Sequence, residues 1–294
     1  MDENRIAIVC CCRTAIGKFG GTLKSVSALD LGAHVTRECI KRAGLESSLV
    51  QRVVCGQNIQ VTRNGDPARE VLLKAGLPVV TDDYTLNMNC SSGLRAMVSL
   101  AQDILLGDVE VGVAVGIENM SQTPYILEGA RFGYRLGNGV LIDFLVDYIL
   151  GNAGPMAEAV ADVYKISRED QDRYGYESHM SAIRAIDEKL FEGQIASIEV
   201  PQRKGRPIIF KVDEGPRRDT SLEKMASLKP VFNPDGVVTA GNASSINDAA
   251  AAVLIMKEKK AEQLGLTPMA YIKTWASAGV EPKMFGIGPI PATK

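Results

Sequence analysis

Residues 111–116, Val-Gly-Val-Ala-Val-Gly, carry no charged or hydrogen-bonding side chain. A strand with one wet face alternates apolar and polar residues, so this run reads as a strand covered on both sides. Residues 6–10 and 53–56 have the same texture, and residues 249–256 regain it late in the chain. Helical stretches lie between the early runs. Residues 28–43 place apolar side chains at helical spacing and stop at Gly44. Residues 67–76 have proline near the start and glycine at the stop, and residues 91–106 form a third amphipathic run. Buried strands alternating with helices predict an α/β fold: a mainly parallel sheet with helices on both faces.

The third helix begins at a chemically pointed junction. Residues 83–86 are strand-like, and Asn87-Met88-Asn89-Cys90-Ser91-Ser92-Gly93 leads from them into the helix. Such a turn puts the Cys90 sulfur at a helix N-terminus. There, free N–H groups and the positive end of the dipole favour thiolate over thiol. Ser91, Ser92 and Gly93 are small enough to let backbone amides approach an oxyanion. Position alone leaves two readings open, a nucleophile and a buried structural cysteine.

Composition narrows the classes. The chain has 294 residues, 46% hydrophobic and 23% charged, enough for a large core and ordinary for a globular protein. A net charge of −2 gives no pull toward nucleic acid or a membrane surface. No apolar stretch reaches the length of a membrane span. The six cysteines, Cys10-Cys11-Cys12 among them, lack metal-ligand spacing, and no metal is expected. The opening Met-Asp-Glu-Asn-Arg shows no signal or transit peptide, so reduced thiols and a cytoplasmic location are expected. The Gly-rich residues 13–21 match neither the P-loop nor the dinucleotide pattern and read as a connecting loop. The two histidines, His34 and His179, fall in predicted helices and read as packing or surface residues.

After residue 121 the texture changes. Residues 122–230 are richer in charge, glycine and arginine. A helix is expected at 155–164, and a second from Ser167, whose hydroxyl can cap it with Asp170 three residues on, to about residue 193. Short strands at 198–200 and 207–212 flank the basic run Arg203-Lys204-Gly205-Arg206. Residues 257–264 read as a helix ended by Gly265, and residues 270–275 begin another strand.

Two long motifs resemble one family. Asn87-x-x-Cys90-Ser91-Ser92-Gly93-x-x-Ala96 is similar to the nucleophile motif of the thiolases, the acetyl-CoA C-acyltransferases. Gly236-Val237-Val238-Thr239-Ala240-Gly241-Asn242-Ala243-Ser244-Ser245-Ile246-Asn247-Asp248-Ala249-Ala250-Ala251 resembles a second thiolase signature, in the family's order and spacing. The resemblance runs from about residue 5 to residue 294 and covers roughly the first two-thirds of a family member.

It implies a thiolase-like layered fold with an inserted loop domain and a truncated second half. The implied segments are 1–121, a first part of the N-terminal domain; 122–230, a loop domain that covers the site and holds coenzyme A; 231–268, the return to the first domain; and 269–294, the start of the truncated domain. Its opening strand near Tyr271 would then lack its neighbours and expose apolar surface. Cys90 is implied as the nucleophile that takes an acyl group from a coenzyme A thioester, with its own backbone N–H as one oxyanion donor. Ser244 matches a serine that contacts the pantetheine arm, Arg217 an arginine near the adenine end, and Lys224 stands where a serine is usual. Arg203, Lys204, Arg206 and Arg218 add positive charge nearby in sequence. Coenzyme A thioesters are implied as substrates, with no permanently bound cofactor and no metal.

Three family strings are missing: Gly-His-Pro, which carries the base; Cys-x-Gly-Gly-Gly, which carries a second cysteine; and Asn-Glu-Ala-Phe. Asn152 falls where many thiolases carry a histidine, and asparagine cannot exchange protons near neutral pH. The chain is therefore expected to need a partner polypeptide or further residues for full turnover. The resemblance also implies a homo- or hetero-oligomer, a dimer or tetramer. The rival expectations are a non-catalytic acyl-CoA-binding subunit and a ketosynthase or hydroxymethylglutaryl-CoA synthase type of condensing enzyme.

Overall fold

Each apolar run becomes a strand. The structure, a computed structural model, describes residues 5–60 and 65–294; the side chains at 149, 150 and 152 are left aside. In chain order the strands are β1 (Ile6–Arg13), β2 (Gly17–Lys18), β3 (Arg52–Gly56), β4 (Asp82–Leu86), β5 (Val111–Asn119), β6 (Tyr125–Leu127), β7 (Leu141–Asp143), β8 (Ile198–Val200), β9 (Ile208–Phe210), β10 (Asn247–Lys257) and β11 (Ala270–Ile272). The α-helices are α1 (Ala28–Ala43), α2 (Pro67–Ala75), α3 (Ser92–Leu106), α4 (Gly151–Tyr164), α5 (Arg168–Asp187), α6 (Leu222–Ala226), α7 (Glu258–Gln263) and α8 (Pro289–Thr293). They group into two units. The first holds Met1–Gln122, Leu190–Gly215 and Ile246–Trp275, and the second Thr123–Lys189, Pro216–Ser245 and Ala276–Lys294.

In the first unit the strand order is β11-β1-β10-β5-β3-β4, with β2 beside β10. β3 pairs parallel with β4 and β5. β10 runs antiparallel to β5 and to β1, and β11 antiparallel to β1. β4, β3, β5 and β1 therefore point one way, as the strand–helix alternation predicts. β10 is inserted against them: it returns from the second unit, so no helical crossover forces it parallel.

Alternate residues of each strand feed two cores. Val53, Cys55, Val113 and Val115 pack with Leu31 and Val35 of α1 and Val71 and Leu72 of α2. Val54, Ala114 and Ile255 pack with Ala96, Leu100 and Ile104 of α3. Both sheet faces are covered, which is why residues 111–116 show no polar alternation.

Residues 190–215 group with the first unit, although the sequence texture runs them together with the insert. Long-range polar contacts hold them there. Arg42 donates to the carbonyls of Gly193 and Ile195 at 2.8 Å, and Arg13 makes a two-pronged pair with Asp213 at 2.8 and 3.1 Å. β11 is not left without a neighbour either. Ile272, Tyr271 and Ala270 pair with Ile6, Ala7 and Ile8, the Arg5 guanidinium lies 3.7 Å over the Tyr271 ring, and the Tyr271 hydroxyl donates to Glu258 at 2.6 Å.

The second unit is built on α4 and α5, with the hairpin β6–β7. Ser167 accepts the Asp170 N–H at 3.0 Å, the cap its spacing predicts. α5 stops at Asp187, short of residue 193, and Lys189 just beyond it takes a left-handed φ of 60°. Arg168 ties α5 to α6: it donates to Asp172 at 2.8 Å and to the carbonyls of Met225 and Leu228 at 2.5 and 3.1 Å. Among the described residues no helix is long and apolar enough to cross a membrane.

Candidate active site

β3 ends in Gly56, which lies in register with Gly116 of β5, and α3 starts directly over these two residues. A Cβ at Gly116 would stand 3.2 Å from the Gly93 Cα. Without side chains there, the first turn of α3 settles onto the sheet where the parallel strands end. In open α/β sheets that end is where ligands bind.

β4 delivers the chain to this point at Leu86, and five residues turn it into α3. Asn89 makes the turn with φ 50°, a left-handed conformation that asparagine tolerates better than most residues. Ser92 pins the elbow from within: its hydroxyl accepts the Met88 N–H at 2.9 Å and donates to the Asn89 carbonyl at 2.5 Å. Asn87 pins it from outside, donating to the Asn58 carbonyl at 2.7 Å and accepting the Asn89 N–H at 2.8 Å. The Ser91 and Ser92 amides donate to the Met88 and Asn89 carbonyls at 3.1 and 3.0 Å, which takes both away from any bound oxyanion. Ser91 holds the N-cap position without a side-chain cap, and no acidic residue lies in the first turn of α3. The positive end of the helix is thus left uncompensated by its own sequence.

Cys90 sits on this elbow with its residue exposed. Of the two readings that position alone allows, the buried structural one does not describe it. Cys10, Cys12, Cys39 and Cys55 are the buried cysteines, and Cys11 is the other exposed one.

The remaining sequence candidates, Arg217, Lys224 and Ser244, belong to the second unit, and all three are exposed. The Arg217 N–H donates to His179 Nδ1 at 3.2 Å, and its guanidinium lies 3.7 Å from Asp219. Lys224 donates to the Asp219 carbonyl. Ser244 follows a turn braced by Asn242, which accepts the Thr239 N–H at 2.8 Å and donates to Asp172 and to the Val237 carbonyl at 2.9 and 3.0 Å. Glu158 of α4 holds the same turn by accepting the Val237 and Val238 N–H groups at 2.9 and 3.0 Å. Between α4 and this turn lies a cleft of about 580 Å³ lined by Pro155, Glu158, Asp162 and Asn233. Arg203, Lys204 and Arg206 are exposed at the tip between β8 and β9, in the first unit. The Asn152 side chain lies outside those described.

Neither histidine belongs to the elbow. His34 is on α1, across the sheet from α3, and burial holds its imidazole below the usual range. His179 is on α5, where burial and the Arg217 charge lower it as well. Two residues that touch the elbow's supports escape a local reading, Asn58 and Glu118. The one mark in the sequence is a carboxylate, Glu118, directly after an uncharged run.

Comparison with known proteins places the chain. A profile described as "Thiolase, N-terminal domain" matches residues 6–259. An acetyl-CoA acetyltransferase of Pseudomonas aeruginosa is 46% identical over 295 residues, spanning 98% of this chain and 75% of that protein. A probable acetyl-CoA acyltransferase of Staphylococcus epidermidis is 40% identical over 298 residues, with the same coverage of 98% and 75%. Among solved structures, the Bacillus anthracis acetyl-CoA acetyltransferase superposes with a TM-score of 0.94 at 41% identity, over 98% of this chain and 74% of that one. Human mitochondrial 3-ketoacyl-CoA thiolase superposes with a TM-score of 0.92 at 34% identity and the same coverage of 98% and 74%. With the profile spanning most of its length and the nucleophile motif on an exposed strand-to-helix elbow, the chain belongs to the thiolase family.

Proposed function

We propose that this chain accepts an acyl group from a coenzyme A thioester onto Cys90 and passes it to a second acyl-CoA. The Cys90 sulfur attacks the thioester carbonyl. The Cys90–acyl bond forms as the bond from that carbon to the coenzyme A sulfur breaks, and the thiol proton ends on the released coenzyme A. A second acyl-CoA, deprotonated at the carbon beside its carbonyl, then takes the acyl group, and that proton returns to the Cys90 sulfur. The observation that carries the reading is the exposed Cys90 at the N-terminus of α3, in a member of a family whose relatives are named for acyl transfer.

The Cys90 backbone N–H is the oxyanion donor we assign. Losing one such donor costs about 3 kcal/mol in other enzymes. Residues 122–230 serve as the loop domain that holds coenzyme A, with Arg217 toward the adenine end, where its fork suits phosphate oxygens, and Lys224 nearby; Ser244, in the return segment, faces the pantetheine arm. Coenzyme A thioesters are substrates rather than resident cofactors, and the reaction runs in the cytoplasm. Turnover draws on a histidine base and a second cysteine from outside residues 1–294, carried by a partner polypeptide or a longer chain. His34 lies across the sheet, and His179 Nδ1 is occupied by the Arg217 N–H. A general base is worth about 10²–10⁴-fold, so the half-reaction is the proper test of this chain alone.

Incubation with acetyl-CoA followed by peptide mass mapping is expected to show acetylation at Cys90 and free coenzyme A, both absent in Cys90→Ser. Coenzyme A bound with Cys90 unmodified would make the chain a binding subunit instead, and equal acetylation of Cys11 would show a non-specific thiol.

A further inference from the structure

We propose that Glu118 is a positioning residue for Cys90, acting through Asn58, Asn87 and Asn89. The proposal rests on the acyl-Cys90 reading above for its functional meaning. Its geometry stands within the first unit alone.

Glu118 lies on β5, two residues past Gly116, in the strand that runs beneath the start of α3. Its carboxylate accepts the Asn58 N–H at 2.9 Å and has the Ile59 N–H within 3.4 Å of both oxygens. Asn58 is 8% exposed, so its backbone is held inside the protein. The Asn58 carbonyl accepts from Asn87 Nδ2 at 2.7 Å, and Asn87 Oδ1 accepts the Asn89 N–H at 2.8 Å. Cys90 is the next residue. Three hydrogen-bonded steps therefore join a half-buried carboxylate in the sheet to the backbone from which the sulfur hangs.

Each link has a reason to transmit. The last is an Asx turn, in which a side chain closes on the backbone two residues ahead. It holds Asn89 at φ 50°, a conformation that reverts readily to an extended one once released. An Asx turn on a loose loop would fix only its own three residues. Here Asn87 is anchored at its other end to Asn58, and Asn58 to Glu118. Burial pushes the Glu118 carboxyl up, and the Asn58 and Ile59 amides oppose that rise. The carboxylate is thus committed to this loop rather than to solvent.

The test uses the full chain and two exposed thiols. Iodoacetamide alkylation of Cys90 is followed by mass mapping against Cys11, the other exposed cysteine, on β1. Glu118→Gln keeps an oxygen at the right reach, Glu118→Asp keeps the charge and loses the reach, and Asn87→Ala cuts the chain at an exposed position. The Cys90-to-Cys11 rate ratio is expected to fall about tenfold in Glu118→Asp and Asn87→Ala, and to stay within about twofold of wild type in Glu118→Gln. A purely structural role would shift melting temperature and leave the ratio alone. Unchanged ratios in Glu118→Asp and Asn87→Ala overturn the proposal. So does a loss confined to Glu118→Gln, which would make charge and not reach the cause. Acetylation from acetyl-CoA is read in parallel. A falling alkylation ratio with no acetylation even in wild type would keep the positioning role and remove the acyl-transfer reading.

Discussion

The carbonyl of Ser92 occupies the space where a Cβ of Gly56 would be: built there, that atom stands 2.2 Å from the Ser92 oxygen and 2.3 Å from its carbonyl carbon. Both are backbone atoms of the first turn of α3, so no side chain can swing aside. Gly56→Ala must lift the helix start off the sheet. Overpacking of this kind costs about 1–3 kcal/mol, and the displaced turn carries Cys90 with it. Urea denaturation should show the loss, and Cys90 alkylation should slow. Gly193→Ala, at a site with open space around the glycine, should stay within about 0.5 kcal/mol of wild type. Equal stability of the two variants would mean that the close approach of Gly56 does not position the elbow.

Asp66 and Asp83 form a hydrogen-bonded carboxyl pair at the start of α2, and they titrate in opposite directions. Burial, with the neighbouring Asp66, pushes Asp83 up to about 6. Burial also acts on Asp66, but hydrogen bonds from Thr85, Asp83 and the backbone outweigh it and hold that carboxyl below its usual range. A carboxyl raised in the fold stabilises fully below its unfolded value, near 3.8, and loses that contribution as pH rises through about 6. Asp83→Asn keeps a donor for Asp66 and cannot ionise. It should raise stability by about 1 kcal/mol at pH 8, close to 2 °C in Tm, and change little at pH 4. A melting curve that drops at pH 8 would show that the Arg69 pair at 3.3 Å outweighs the carboxyl repulsion.

The elbow was legible because the chain that forms it is local, even though its supports are not. Strand, turn and helix lie within 25 residues, from Asp82 to Leu106, and each end carries its own signal, down to Gly107 at φ 86° closing α3. α1 was legible for the same reason: Ser27 accepts the Asp30 N–H at 3.1 Å, and Gly44 stops the helix. What escaped the sequence is joined across long stretches of chain. Glu118 meets Asn58 across 60 positions, and Arg13 meets Asp213 across 200. Neither partner marks the other in the sequence. The antiparallel insertion of β10 escaped for a related reason: an apolar run shows that a strand is buried but not which way it points. The placement of Arg217, Lys224 and Ser244 rests on motif resemblance, because nothing in an exposed arginine says which anion it meets.

Glu158 holds the backbone of the turn before Ser244, while Asp172 holds its Asn242 side chain. It accepts two consecutive amides, Val237 and Val238, at 2.9 and 3.0 Å, and its Oε1 lies 2.2 Å from where a Gly236 Cβ would stand. Glu158→Ala leaves both amides without that acceptor, at a cost of about 1–3 kcal/mol in local stability. Hydrogen exchange should quicken at Val237 and Val238 while amides of β10 keep their protection. Uniform quickening across both would mean that Glu158 supports the whole fold and not this turn.

Arg217 and Arg218 are adjacent in sequence and differ in what occupies them. Arg218 is engaged by both oxygens of Asp187 at 2.6 and 2.9 Å, a two-pronged pair that leaves little of its guanidinium for a ligand. Among the described residues, the Arg217 guanidinium pairs with Asp219 at the looser distance of 3.7 Å, with 70% of its side chain exposed, so its fork is available to a phosphate. Arg217→Ala should weaken coenzyme A binding by roughly fivefold, and Arg218→Ala by less than about twofold. Raising the salt concentration should shrink the gap, because the exposed charge is screened. Titration calorimetry with coenzyme A reads both constants. Equal losses, or a larger loss at Arg218, would move the phosphate site off Arg217.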